Sequence, residues 1–168
     1  MEVTAVRDTA RTRRAVPADL SVALALLEAV GLPGAGVREA FDHFRVGEQN
    51  GRVVAVAGLE VCGRDGILRS VAVHPDHRNR DWGARLTREV IDAARHAGLR
   101  RLYLLTTTAA GWFPRFGFFT TERDAAPPDV LDSIEFREVC PDSAIAMVLD
   151  LHLTRSPDST APPVETLS

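Results

Sequence analysis

The sequence predicts an α/β (α+β) domain: a mixed, mostly antiparallel sheet flanked by helices on both faces. Three observations predict it. Apolar residues recur at helical spacing near the start of the chain. Two hairpin signals follow in succession between residues 43 and 73. A strand–helix–strand unit with a strongly amphipathic helix then spans residues 67 to 105.

The elements follow in order. Residues 1–12 are polar and aperiodic and read as a flexible arm; the folded domain is placed at 10–153, and 154–168, rich in Pro, Ser, Thr and Asp, read as a disordered tail. Pro17 suits the first helical position and Asp19 favours the positive helix start. Leu20, Ala23, Leu24 and Leu27 then share a face, and Gly31 and Pro33 stop the helix. A short second helix carries Val37, Ala40, Phe41 and Phe44. His43 to Glu48 reads as a strand leading into Asn50-Gly51, a two-residue hairpin signal. Arg52 to Cys62 is β-branched and apolar, a central strand. Residues 63–66 make a turn and Ile67 to Val73 a third strand. A long helix runs from about Trp82 to Ala97, with Leu86, Val90, Ala93, Ala94 and Ala97 on one face. Leu102 to Leu105 reads as a strand buried on both faces. Gly111 to Phe116 forms a short helix, Asp129 to Val139 another, and Ala144 to Leu151 the last strand.

Composition narrows the function. The formal charge is −3, so no basic excess marks a nucleic-acid partner. All 20 basic residues are Arg, which removes Schiff-base chemistry on a lysine. Cys62 and Cys140 stand far apart, without metal-ligand spacing, and read as reduced thiols. No apolar run reaches the ~18 residues of a membrane span and no secretion signal opens the chain. These features predict a cytoplasmic protein with neither a membrane nor a metal partner; a homodimer is compatible with them.

The informative unit is the strand Leu68 to Val73, the loop His74 to Asp81 and the helix from Trp82. A strand that turns into a helix start gathers backbone N–H groups at one point, which attracts a phosphate or pyrophosphate. Arg78 and Arg80 add charged donors. These residues resemble the coenzyme A loop of the GNAT superfamily, Gln/Arg-x-x-Gly-x-Gly/Ala after a strand: Arg78 takes the first position and Gly83 the last, with Asp81 where the pattern has its middle glycine. The downstream Phe113-Pro114-Arg115-Phe116-Gly117-Phe118 resembles the segment ending in Gly-Phe of the same superfamily. Three stretches, 57–61, 103–108 and 140–144, resemble more narrowly the arsenic-resistance N-acetyltransferase family.

The resemblance implies a small N-acetyltransferase that moves the acetyl group of acetyl-coenzyme A to the amine of a small molecule, an amino-acid-like arsenical or phosphinic analogue. It implies cofactor contacts from Val71, Ala72 and Val73 of the strand and from Arg78, Asn79, Arg80, Asp81, Trp82, Gly83 and Ala84 of the loop. Glu60, a carboxylate inside an apolar strand, is the candidate general base, against the alternative that it marks a strand end in solvent. Arg69 and Ser70 flank the acceptor by the resemblance, with Arg69 as a clamp for an anionic group or as the partner of an acid. Thr106 and Thr107 end the buried strand, where they line the acceptor site or cap the next turn. The aromatic residues from Trp112 to Phe119 read as core, and His74 and His77 as loop residues.

Two departures stand out. Asp81 brings a carboxylate to the pyrophosphate loop, although Asp tolerates the left-handed backbone that glycine would adopt. Phe113 stands where many superfamily members have a Tyr that protonates the leaving thiolate. Both leave room for other readings: a degenerate domain that binds or senses without catalysis, or an acetyltransferase acting on protein N-termini.

Overall fold

A computed structural model describes residues 8–139 and 141–152. Seven strands form one sheet in the order β1-β2-β3-β4-β5-β7-β6. The strands are β1 (Ala10–Arg14), β2 (Phe44–Gln49), β3 (Arg52–Cys62), β4 (Asp65–Val73), β5 (Arg101–Thr106), β6 (Phe119–Thr121) and β7 (Ile145–Asp150). All neighbours are antiparallel except β4 and β5. The helices are α1 (Leu20–Ala29), α2 (Val37–Ala40), α3 (Trp82–His96) and α4 (Pro128–Leu131).

The hairpin of β2 and β3 forms because Asn50 (φ 52°) and Gly51 (φ 78°) supply the positive φ pair of a tight turn. Long α3 exists through its pattern: Trp82, Leu86, Val90, Ile91 and Ala94 are buried on one side of the sheet against Ala55, Ala57, Leu59 and Leu68. Leu86 and Val90 are fully buried, and truncating Leu86 to Ala should cost about 2–5 kcal/mol. On the opposite face α1 and α2 pack Ala23, Leu27 and Val37 against Phe44, Val46, Val56 and Ala72 of the sheet. Farther along, Val130 and Phe136 cover Ile67, Tyr103 and Val148.

Several expectations are corrected. Residues 10–12, read as part of the arm, belong to β1, which pairs along its length with β2. β1 is an edge strand with largely exposed side chains, so it needs no apolar alternation. Phe44 lies in β2 and not in a helix. Asp65 and Gly66, read as turn residues, are the first rungs of β4, opposite Cys62 and Val61. The helix expected over 129–139 breaks after α4. There the Ser133 hydroxyl donates to the Val130 carbonyl at 2.7 Å and accepts the Phe136 N–H at 3.2 Å, and a π-helical turn follows at Glu135–Val139. Cys140 and the tail at 153–168 lie outside the described residues, as do residues 1–7.

Candidate active site

The feature that organises the site is a parting of the sheet. β4 and β5 share only two parallel rungs, Gly66 opposite Leu102 and Ile67 opposite Tyr103. Beyond Ile67, β4 stays paired with β3 up to Val73, while its other edge runs clear of β5. Backbone N–H and C=O groups of residues 68–73 on that edge therefore have no ladder partner in β5. A bulge lies at the point of parting: Val56 pairs with Ala72 but Gly58 with Arg69, and Ser70 takes φ 58° to absorb the extra residue. The bulge re-aims the backbone of Ser70 and Val71.

The loop beyond β4 ends at the start of α3. Asp81 is the helix N-cap in the left-handed region (φ 60°, ψ 18°), the conformation a glycine would supply. The first helical hydrogen bond runs from the Arg85 N–H to the Asp81 carbonyl at 3.0 Å. The N–H groups of Trp82, Gly83 and Ala84 thus precede the helical ladder. Arg78 is exposed and has no ion-pair partner among the described residues. Arg80 is held by Asp8 at 3.1 Å. The Trp82 side chain does not line the loop: it is 2% exposed, and its ring lies over Gly47, where a Cβ would stand 2.5 Å from a ring carbon. Its part is to anchor the helix start on β2, with the backbone N–H left for the loop. Across the same helix start, Trp112 packs within 3.6 Å of where a Gly83 Cβ would be. It stacks edgewise on Phe113 and Phe116, and Phe113 is buried core.

The acceptor-side residues divide. Glu60 pairs with Ile67 across β3 and β4, so it shares a face with Arg69 one diagonal step on. Arg69 is buried at 3% exposure and its guanidinium is fully engaged. It reaches Glu60 Oε2 at 3.1 Å, Glu135 Oε2 at 3.2 Å and the Ala35 carbonyl at 2.5 Å, and its Nε donates to Ser70 Oγ at 3.2 Å. Of the two readings of Arg69, a clamp for an anionic group or the partner of an acid, the geometry matches the second: the planar fork faces protein groups. Of the three charged residues only Glu60 is partly open to solvent, at 21% of its side chain. Thr106 accepts the Ala109 N–H at 3.0 Å and caps the turn after β5; Thr107 is exposed beside it. Cys62 is buried, and burial first of all pushes its thiol up to about 12, so it carries no thiolate near neutral pH. No group of three or more metal-ligating side chains occurs among the described residues. A groove of about 500 Å³ at the far end of α3, bordered by Phe44, Asp92 and His96, includes none of these residues.

Glu135 escaped the sequence reading. Its only signal is a carboxylate between the apolar residues Ile134 and Phe136, in a segment that reads as ordinary amphipathic helix.

Comparison with known proteins fits this geometry. A model of the acetyltransferase (GNAT) domain matches residues 40–119, from α2 to the start of β6. Amino-acid acetyltransferases of Yersinia enterocolitica and Shewanella oneidensis are 32% and 33% identical over 126 residues, 70% of this chain. The chain spans only 29% and 28% of their length. Among solved structures, N-acetylglutamate synthase from Neisseria gonorrhoeae, complexed with coenzyme A and N-acetyl-glutamate, superposes with a TM-score of 0.73 at 25% identity. That match covers 86% of this chain and 35% of the synthase. Rv2747 of Mycobacterium tuberculosis, in complex with CoA, shares the fold at a TM-score of 0.72 and 24% identity, over 83% of this chain and 98% of its own. The Yersinia and Shewanella relatives are named amino-acid acetyltransferases and the Neisseria structure an N-acetylglutamate synthase; none of these names refers to arsenic resistance. No helix among the described residues is long and apolar enough to cross a membrane.

Proposed function

We propose that this chain, which carries a GNAT-type N-acetyltransferase domain, transfers the acetyl group of acetyl-coenzyme A to the amine of a small amino acid. The observation that carries the proposal is the open edge of β4 leading directly into the free N–H groups at the start of α3.

The residues suit the donor. N–H groups of Trp82, Gly83 and Ala84, with the positive end of α3 behind them, fit a pyrophosphate; Arg78, without an ion-pair partner among the described residues, supplies a charge, and Asn79 and Arg80 border the same turn. The vacant backbone edge of Val71, Ala72 and Val73 fits an amide-bearing arm that takes the place of a neighbouring strand. Bound acetyl-coenzyme A would supply an activated acetyl thioester. The chain must then do two things. It must remove a proton from the acceptor's ammonium, for which Glu60, partly solvated, serves directly or through a water. It must also offer N–H donors where negative charge grows on the acyl oxygen, for which the re-aimed backbone at the bulge serves. Phe113 holds no proton to give, so the departing thiolate relies on its own modest basicity or on water.

Amino acids are the acceptor class that the names of the relatives support. The narrower resemblance adds an analogue with an arsinic or phosphinic group in place of a side-chain carboxylate. Acetyl-coenzyme A consumption would be measured with glutamate, other amino acids, a phosphinothricin- or arsinothricin-like analogue, a polyamine and a peptide N-terminus. Turnover of amino acids or their analogues is expected. Turnover of the peptide alone, or no stabilisation of the fold by millimolar acetyl-coenzyme A, would sink the proposal.

A further inference from the structure

The Arg69 cluster joins the β3–β4 hairpin, through Glu60, Arg69 and Ser70, to two segments remote in sequence: the loop before α2 through Ala35, and the π-helical turn through Glu135. Its position is specific. Arg69 lies two residues past the last rung shared by β4 and β5, beside the bulge. Gly36 sits above it with φ +79°, and a Cβ there would stand 2.8 Å from Arg69 Nη1 and 3.8 Å from Ile134 Cβ. A glycine is required at 36 by the backbone conformation, and the guanidinium beneath fills the space a side chain would need.

One guanidinium serves two carboxylates in a site closed to water on the Arg69 and Glu135 sides, with 1% and 8% of those side chains exposed. A buried pair on its own is weak evidence of stability, because desolvation offsets the Coulomb attraction. Of the three side chains only that of Glu60 is appreciably open to solvent, at 21%. The contact from Arg69 holds the Glu60 carboxylate in one orientation, with its open side toward an approaching ammonium group.

We propose that Arg69 is a positioning residue for the acetyl transfer. It orients Glu60 toward the acceptor amine, and it ties the 34–36 loop and the Glu135 turn over the acceptor side as a closed roof. The inference rests on the acetyltransferase reading above, but part of its test is independent of turnover.

Arg69→Gln and Arg69→Lys in the full chain would be compared by steady-state kinetics and by amide hydrogen exchange without substrates. Lysine can hold one carboxylate but not the planar fork across two acids and a carbonyl. For Arg69→Gln we expect kcat to fall by about 10²-fold, the lower range of a general-base contribution, with KM for acetyl-coenzyme A essentially unchanged. Arg69→Lys should recover part of that loss. Amides at residues 35–37 and 135–136 should exchange faster in both variants, while those of α3 should not. Should Arg69→Gln fail to fold, Arg69→Lys decides the matter alone. Wild-type kcat in the folded variant, or equal losses of kcat and of acetyl-coenzyme A affinity, would overturn the positioning role. A wild-type chain that acetylates no amine breaks the proposed function instead. Exchange then still tests the roof, which unchanged protection at residues 35–37 and 135–136 would refute.

Discussion

Two ionic clusters among the described residues brace this molecule, and they stand in different settings. At the β1–β2 side, Arg11 and Arg13 face Glu48 at 2.6 and 2.7 Å, and Arg13 forks onto both oxygens of Asp19 at 2.7 and 2.9 Å. Two cations meet two anions. Asp19 also accepts the Val16 N–H at 2.8 Å, so the cluster fastens the entry of α1 to the edge of the sheet. Hydrogen bonds from Arg13, and from Arg11 and Arg13, hold the Asp19 and Glu48 carboxyls below their ordinary range. At the β3–β4 side a single Arg69 serves Glu60 and Glu135 in a drier setting. The first cluster pins an edge strand to the entry of a helix. The second stands where the sheet opens, two residues past the last rung between β4 and β5, and one of its carboxylates, that of Glu60, keeps 21% of its side chain exposed. Placement and access to solvent separate the two.

The largest expected effect separates the two in rate. Glu60→Gln should lower kcat by about 10²–10⁴-fold, the range of general-base catalysis, with little change in acetyl-coenzyme A affinity or melting temperature. A Gln variant with near-normal turnover would remove Glu60 from the chemistry and erase the contrast. Next comes Arg13→Ala. It strips charged hydrogen bonds from two largely buried carboxylates and should cost about 2 kcal/mol in denaturant unfolding, the scale of hydrogen bonds to charged groups. Its kcat/KM should equal the wild type's after correction for the folded fraction.

The same cluster sets an acid limb. Carboxyls whose folded values are depressed stabilise the fold above their unfolded values of 3.8 and 4.5, and that contribution disappears as pH falls through the folded ones. Arg13→Ala should therefore lie furthest below the wild type in stability at neutral pH, and the two should converge below about pH 4. A constant gap from pH 7 to pH 3, read from urea midpoints, would show that the ion pairs contribute nothing. The smallest effect belongs to the donor loop. Asp81 already holds the left-handed backbone, so Asp81→Gly should leave its course intact and remove a repelling carboxylate. Acetyl-coenzyme A should bind a few-fold tighter by calorimetric titration, consistent with a surface charge worth under about 1 kcal/mol. Weaker binding would mean that the carboxylate helps to order the loop.

What the sequence revealed follows from how local each signal is. The β3 span from Arg52 to Cys62 and the start of α3 at Trp82 were legible because hairpin chemistry and helical periodicity act within a few residues. β1 was not, since an exposed edge strand of Arg and Thr differs from a polar arm only by having Gln49 to Arg45 beside it. β6 is too short for a pattern and depends on its pairing with β7. The break after α4 turns on one hydroxyl, that of Ser133. In the candidate site, the loop proposed to hold the cofactor was readable as a contiguous motif. Arg69 and Glu60 were legible as residues of interest, but their mutual engagement depends on the register of β4 on β3, and Glu135 joins them from 66 positions away.

The two-rung contact between β4 and β5 has a mechanical consequence. It is a tear line: four strands lie on one side of it and three on the other, and across it the sheet has almost no shear strength of its own. The three-strand block is held to the rest mainly by side chains packed beneath it, Leu102, Leu104 and Met147 against the α3 layer. Under load, or on heating, the blocks should part along this line before either loses its internal ladder. Whatever fills the gap with amides at strand pitch acts as stitching, and stiffens the domain across the direction in which it is weakest.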